Sequence, residues 1–378
     1  MKFIKRFIEE DFLKQLKPNK ALLLFGARRV GKTQFIQTIL PKLKEEYLLL
    51  HGEDQNTINL LEERSKRNYE RLLGEKKLLI IDEAQEISDI GMKMKLLIDT
   101  IPEMKVILTG SSVFDLQNKL GEPLVGRKTT FHLYPLSQLE FSKNEDLIET
   151  RSKLEERLIF GSYPELEQLA SWDEKREYLI ELVNSYLLKD ILKFEGIQKS
   201  NKIVSLLKLI AFRIGSEISI ENIGNELQLS KNTVDKYLDI LSKTFITYKL
   251  SGFSRNLDNE ITKKNKWFFY DNGIRNALIN NFNLLNSRDD HGKLWENYLI
   301  SERLKVQQYK KIYTTNYFWR THNKQEIDWI EEKDGKISAF EFKWNKDKKV
   351  KIPPKFKQAY SNSDFTVINP ENYLDFIL

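Results

Sequence analysis

Within the stretch "LLLFGARRVGKTQFIQTIL", Gly26, Gly31, Lys32 and Thr33 have the types and spacing that suit phosphate binding. The pattern G-x4-G-K-T lets backbone N–H groups wrap phosphate oxygens, because glycine permits tight turns and a close backbone approach. Lys32 would reach the β- and γ-phosphates of ATP, and the Thr33 hydroxyl would hold Mg²⁺. Ala27, Arg28, Arg29, Val30 and Gln34 fill out the expected contacts; Arg28 either touches phosphate or faces solvent. An apolar strand precedes the loop and a helix follows it, so the helix N-terminus adds its positive end. A plain strand–helix turn would not need this combination.

A partner follows in "KKLLIIDEAQEI", where an apolar run ends in Asp82 and Glu83. At the carboxyl edge of a parallel sheet, Asp82 suits the metal and Glu83 is placed to polarise an attacking water. In "KVILTGSSVF", Thr109, Ser111 and Ser112 end another run. They either sense the γ-phosphate or cap a helix, and both roles are compatible.

Near the C-terminus, "KISAFEFKWNKDKK" alternates Phe340 and Phe342 with Glu341 and Lys343, as a strand with one buried and one wet face would. Asp328 lies 13 residues before Glu341 in "EIDWI", with Ile327 and Trp329 expected to point away from it. Glu296 lies in the helical pattern "KLWENYL". Carboxylates converging from separate elements on Mg²⁺ or Mn²⁺, with Lys343 beside the water, would suit phosphodiester hydrolysis. Glu-x-Lys alone is an ordinary surface pair. Order and spacing raise its weight.

These side chains need a frame. Strand-like runs at Ala21–Phe25, Tyr47–Leu50, Leu78–Ile81, Val106–Leu108 and Thr129–Leu133 are separated by helix-length segments, which predicts a three-layer α/β domain with a mostly parallel sheet. Residues 1–17 read as one amphipathic helix. From about 136 to 290 the patterns are helical with few strand signals. There "ISIENIGNELQLSKNTVDKYLDILSKTFITYKL" has helix–turn–helix spacing, with Ser230 as N-cap and "TFITYKL" as a wing strand. Val234, Leu238 and Leu241 face inward; Lys231, Asn232, Thr233 and Lys236 face outward. Such a helix either enters a DNA groove or packs internally, and Asp235 and Asp239 dilute its basic face. A second α/β unit follows Gly292.

The chain has 378 residues, a hydrophobic share of 40% and a net charge of +6. That length predicts two or three domains. With no cysteine, disulfides and thiolate metal sites are excluded, and 4 histidines leave oxygen ligands as the expected metal donors. Apolar runs are too short to span a membrane, and no signal peptide is evident, so a cytoplasmic protein is expected. The charge fits a polyanion partner only weakly. Seven lysines between 343 and 357 either follow a phosphate backbone or line a solvated loop.

In combination, "GARRVGKT", "LLIIDEAQ", "ILTGSS", "GRKTTFHLYPLSQLEF", "GSYPE", "YLLKDIL", "KWFFYDNGIRNAL" and "GKLWENYL" resemble a bacterial and archaeal family of AAA+-like P-loop ATPases with a C-terminal domain of unknown function. That resemblance implies ATP binding and hydrolysis. It makes Arg127, in "VGRKTTF", a γ-phosphate arginine or an arginine reaching a neighbouring copy in a homo-oligomer; an ion pair on the last strand is the alternative. Glu296, Asp328, Glu341 and Lys343 in that order resemble the PD-(D/E)XK nuclease fold. Gln358 matches a glutamine found after that core, although Asn362 replaces the tyrosine of its longer pattern, and Arg320 would anchor a phosphate or pair with a carboxylate.

The expected organisation is a P-loop ATPase core (1–135), a helical and winged-helix region (136–285) and a nuclease-like α/β domain (286–378). The expected function is an ATPase acting on nucleic acid, DNA ahead of RNA, with a Mg²⁺-dependent nuclease site. The alternatives are a nucleotide-switched DNA- or protein-binding regulator with a silent tail, and an ATPase whose distal domains serve assembly.

Overall fold

The computed structural model describes residues 4–111, 124–187, 200–254, 265–321 and 325–378. Contacts divide the chain into two compact units. One comprises Lys5–Tyr134 with Lys243–Phe245; the other comprises Pro135–Ser242 and Ile246–Leu378 with Ile4.

In the first unit, five strands form a parallel sheet: β1 (Lys20–Phe25), β2 (Tyr47–His51), β3 (Leu78–Asp82), β4 (Lys105–Gly110) and β5 (Lys128–His132). Their order is β2-β3-β4-β1-β5. The strands β1, β3 and β4 are buried almost throughout, as expected where helices cover both faces of a parallel sheet. The expected helix over residues 1–17 is shorter, Glu9–Lys14. Ahead of it the buried Arg6 sends its guanidinium to the carbonyls of Val30 and Tyr134 instead of continuing a helical face. Phe12 still packs inward, 5.2 Å from Phe35 and 5.0 Å from Phe131.

The second unit is built on a seven-stranded mixed sheet, in the order β12-β11-β10-β9-β7-β8-β6. Its strands are β6 (Glu217–Ile218), β7 (Thr247–Gly252), β8 (Asn265–Phe269), β9 (Thr315–Arg320), β10 (Glu326–Lys333), β11 (Lys336–Phe342) and β12 (Ser363–Ile368). Three of these lie in the region read as helical. The strand β7 pairs in parallel with β9 through Ser251↔Tyr317 and Gly252↔Phe318, so one sheet crosses the boundary expected at 285. Nothing local in the sequence announces a pairing between strands so far apart.

The helices Ile220–Leu227 and Lys231–Lys243 form the expected helix–turn–helix. Ser230 accepts from the N–H of Thr233 at 3.2 Å, and Val234, Leu238 and Leu241 are buried.

Several stretches that carry the family resemblance converge on one buried lock. Asp271 accepts from the N–H groups of Ser162 (2.7 Å) and Ile274 (3.2 Å). Asn297, on the long helix His291–Tyr309, brackets Phe269 by accepting from its N–H at 2.7 Å and donating to its carbonyl at 3.1 Å. Gly161 has φ +72°, and a Cβ there would lie 2.0 Å from Asp271 Oδ1. Buried polar groups matched this closely hold segments in register.

Candidate nucleotide and acidic sites

The first candidate site lies where the parallel strands end. The registers Phe25↔Gly110 and His51↔Asp82 put the glycine loop, Asp82–Glu83 and Ser111 at one sheet edge. The loop turns through Arg29 (φ 64°) and Gly31 (φ 94°) into the helix Lys32–Ile39. Gly26 leaves no room for a side chain, since a Cβ would sit 2.1 Å from the Leu133 carbonyl oxygen. Val30 and Ala27 are buried, Arg28 is half-buried, and Arg29 and Gln34 are exposed.

Lys32 is buried and donates to the carbonyls of Gly26 (3.0 Å) and Ala27 (3.2 Å), curling its ammonium into the loop that phosphate would enter. The carboxylate of Glu83 lies 3.9 Å from it. Thr33 donates from its hydroxyl to Asp82 Oδ2 at 2.7 Å, so the two groups expected at the metal are adjacent. Thr109 fastens this edge: its hydroxyl donates to Asp82 Oδ1 and accepts from the N–H of Glu83 at 3.0 Å. A hydroxyl beside a carboxylate is an oxygen-only donor set, which suits a hard divalent ion.

Glu83 adopts φ 51°, uncommon for a residue with a side chain. Gln85 donates to Glu83 Oε2 and lies 3.4 Å from the Ser111 hydroxyl, which links the Asp-Glu turn to the end of β4. Ser112 lies outside the described residues. Sequence reading missed Gln85 and Arg6; Gln85 lies in the turn just past β3, and nothing in "MKFIKRFIEE" singles out Arg6.

Arg127 is not at this edge. Ala21↔Lys128 and Lys20↔Lys105 place it at the amino ends of the strands, level with Lys20 and so about six residues or roughly 20 Å along β1 from Gly26. Its Nε meets Asp99 Oδ1 at 2.7 Å, so within its own chain it is an ion pair and not a γ-phosphate contact. The parallel register that carries the loop forward carries this arginine to the opposite edge.

The second candidate site lies in the other unit. Glu341 is 9% exposed, on the same side of β11 as the buried Ile337 and Ala339, so the expected wet face is covered. Lys343 donates to Glu341 Oε1 at 2.6 Å and lies 3.9 Å from Asp328 Oδ2. Asp328 Oδ2 accepts from the N–H of Phe342 at 2.9 Å. Asp328 sits at an irregularity of β10, between Ile327↔Trp319 and Ile330↔Tyr317. Three residues there span what two span on β9, which brings Ile327 and Ile330 into the same core cluster. Trp329 instead donates to Glu331 at 2.9 Å, so Ile327 and Trp329 do not share a face. Such bulges re-aim side chains near functional sites.

Glu296 does not stand alone either. Lys266, from β8, lies 3.4 Å from Glu296 Oε1 and contacts Glu326 as well. Lys266, in a region read as helical, and Glu326, beside the strand-like "EIDWI", were missed, because neither carries a local sign of its partners. Arg320 lies 3.6 Å from both Glu217 and Glu326, the carboxylate-pairing alternative. Gln358 is exposed on the helix Pro354–Ala359, whose inward residue is Phe356.

The cluster is electrostatically strained. Burial pushes Glu296 up to about 8; Lys266 opposes this, and Asp328 and Glu326 reinforce it. Burial likewise pushes Glu341 up to about 7, with Asp328 adding and Lys343 opposing. Asp328 is raised by burial against the pull of Lys266 and Lys343. For Lys266, burial would lower the pKa, but Glu296, Asp328 and Glu326 outweigh it and hold the ammonium charged.

Among the described residues no three carboxylate or histidine side chains already form a metal cage. Glu296, Asp328 and Glu341 were expected to do so, but the two lysines interleave with them. One observation still fits a cation: Glu341 Oε2 is buried without a hydrogen-bond partner, with the Asp328 carboxylate close enough to raise the Glu341 pKa. Among the described residues no helix is long and apolar enough to cross a membrane.

Residues 18–142 match a family model described as AAA domain. Residues 151–285 and 291–374 match two domains of unknown function, DUF8612 and DUF4143. An uncharacterized protein of Methanocaldococcus jannaschii, MJ1544, is 26% identical over 268 residues, covering 66% of this chain and 60% of that protein. One from Haemophilus influenzae is 25% identical over 301 residues, covering 72% and 71%. The chain thus spans between 60% and 71% of the length of these two relatives. Among solved structures, a signal transduction ATPase with a tetratricopeptide repeat sensor from Pyrococcus horikoshii is 14% identical at a TM-score of 0.32, covering 82% of this chain and 48% of that one. A Pif1 helicase is 12% identical at 0.26, covering 48% and 52%. Both scores are too low to mark a shared fold. The AAA match on residues 18–142, the DUF4143 match and the uncharacterized relatives together support an AAA-like P-loop ATPase family of unknown function for this chain.

Proposed function

We propose that the chain binds and hydrolyses ATP with Mg²⁺ at the edge formed by Gly26–Thr33, Asp82, Glu83 and Ser111, and acts on nucleic acid through the rest of the chain. One observation carries the first half: Lys32, Thr33 and Asp82 meet at the carboxyl ends of a parallel sheet, with Thr33 2.7 Å from Asp82. The backbone N–H groups of the loop and the N-terminus of helix Lys32–Ile39 bind phosphate. On nucleotide binding Lys32 would exchange the Gly26 and Ala27 carbonyls for phosphate oxygens, Thr33 and Asp82 would hold Mg²⁺, and Glu83 would orient the water. Bound Mg²⁺ would supply neutralisation of the phosphate charge.

In the same reading the 286–378 segment is a nuclease-like domain and the 136–285 segment a helical and winged-helix region that presents nucleic acid to it. The orphaned Glu341 Oε2 supports a divalent-ion site there, held by Asp328 and Glu341 with Lys343 alongside. A second reading, a nucleotide-switched regulator with a silent tail, is favoured by the ion pair with Lys266 that already occupies Glu296 and by the exposed Asp235 and Asp239 on the helix Lys231–Lys243.

Purified wild type, Lys32→Ala and Glu341→Ala separate these. Phosphate release from ATP should fall by two or more orders of magnitude in Lys32→Ala, and unchanged turnover there refutes the ATPase reading. Cleavage of labelled DNA and RNA in Mg²⁺ or Mn²⁺ should vanish in Glu341→Ala. Absence of cleavage in wild type, with ATP turnover intact, selects the regulator.

A further inference from the structure

The acidic cluster contains a cation that comes from outside the segment carrying Asp328, Glu341 and Lys343. Lys266 belongs to β8, two strands away from β9 and three from β10 in the sheet. Its side chain is 2% exposed, and its ammonium lies 5.2 Å from the centre of the Phe318 ring on β9. It pairs with Glu296 from the long helix at 3.4 Å and with Glu326 from the start of β10. A lysine this deeply buried is tolerated only where carboxylates compensate its charge.

The four carboxylates therefore fall into two pairs. Glu296 and Glu326 share Lys266. Asp328 and Glu341 share the half-buried Lys343, and only this pair has a buried oxygen without a partner, Glu341 Oε2. Phosphodiester-cleaving sites commonly use two divalent ions, each needing carboxylate oxygens with free lone pairs. Here one half of the cluster already carries its positive charge on a side chain.

We propose that Lys266 is a resident cation of this cluster, taking up on Glu296 and Glu326 the charge a second divalent ion would neutralise, so that the site accepts one such ion, at Asp328 and Glu341. This rests on the divalent-ion reading of the Asp328–Glu341 pair. Glu296 is then the partner that positions Lys266 and not a metal ligand. Gly215 keeps Glu296 in place: a Cβ there would lie 2.9 Å from Glu296 Oε2.

Titration calorimetry with MnCl₂ at pH 8 on the nucleotide-free full chain tests this. Thr33→Ala is present in every sample to silence the loop site. The parent should take up one equivalent of Mn²⁺, and Glu341→Gln should remove it. Glu296→Gln should retain it. Lys266→Met should take up one equivalent more than the parent, and Glu296→Gln added to it should abolish the gain. A folded Lys266→Met that binds no more Mn²⁺ than the parent overturns the proposal, as does loss of the parent's ion in Glu296→Gln. If Lys266→Met does not fold, the Glu296→Gln result decides alone. A parent that binds no Mn²⁺ sensitive to Glu341→Gln refutes the underlying divalent-ion reading instead. Gain of one equivalent in Lys266→Met would even then support the resident cation.

Discussion

Gly52 lies outside every phosphate-binding motif, yet the geometry makes it a strict requirement of the Asp82–Glu83 edge. It follows the last residue of β2, and its N–H donates to the Asp82 carbonyl at 2.8 Å. A Cβ on Gly52 would sit 2.2 Å from the Glu83 carbonyl oxygen, 3.0 Å from the carbonyl carbon and 3.3 Å from the Asp82 oxygen. All three obstacles are backbone, so no side chain can swing away. Restoring ordinary contact requires a shift of about 1 Å, and a displacement of that size at a reacting centre costs about 100-fold in rate. Gly52→Ala should therefore lower ATP turnover by about two orders of magnitude. Binding of fluorescent ADP should change much less, because the loop Gly26–Thr33 belongs to a different strand. Phosphate-release kinetics, fluorescence titration and a thermal melt on one preparation read these separately. A folded Gly52→Ala protein with turnover within threefold of wild type would refute the assignment of Asp82 and Glu83 to the reaction.

Other perturbations follow from the same contacts. Arg6→Met removes the donors to the Val30 and Tyr134 carbonyls, and denaturant unfolding should show a loss of about 2–4 kcal/mol with weaker ADP binding. For Asp290, burial would raise the pKa, but hydrogen bonds from Arg288 and Arg275 outweigh it and bring it from 3.8 down to about 2. Its stabilisation is then complete above about pH 4 and lost as pH falls through about 2. Asp290→Asn should cost about 2 kcal/mol at pH 7, and the difference from wild type should shrink below pH 4 in acid-unfolding curves. Gly215→Ala combines φ +70° with a Cβ 2.9 Å from Glu296 Oε2 and should cost about 1–2 kcal/mol in the same unfolding assay; a neutral substitution would show that Glu296 is free to move.

The sequence makes the first site legible because its parts are local. The loop, its glycines and the helix it opens are contiguous, and each strand that delivers Asp82 or Thr109 announces itself as an apolar run. What was hidden there depended on strand direction and long-range anchoring. Arg127 looked like a phosphate contact by motif, but its position at the start of β5 sends it to the wrong edge. Arg6 falls in a stretch that reads as one amphipathic helix, and the carbonyls it anchors lie 24 and 128 residues further on.

The second site shows the stronger limit. Alternation places Glu341 and Lys343 together correctly, but it makes their face wet, because one strand's pattern says nothing about what covers it. The bulge at Asp328 breaks the period that would have paired Ile327 with Trp329, and no turn residue marks it. Lys266 could not be read at all, since its partners come from a helix and a strand 30 and 60 residues further on. A buried charge is expensive without partners and inexpensive with them. In this chain the carboxylates that look like metal ligands in sequence and a lysine from a region read as helical are therefore one electrostatic unit. Whether such a cluster holds one ion, two or none depends on how many of its charges the protein already neutralises, and that count is set by the sheet that brings β8 alongside the tail.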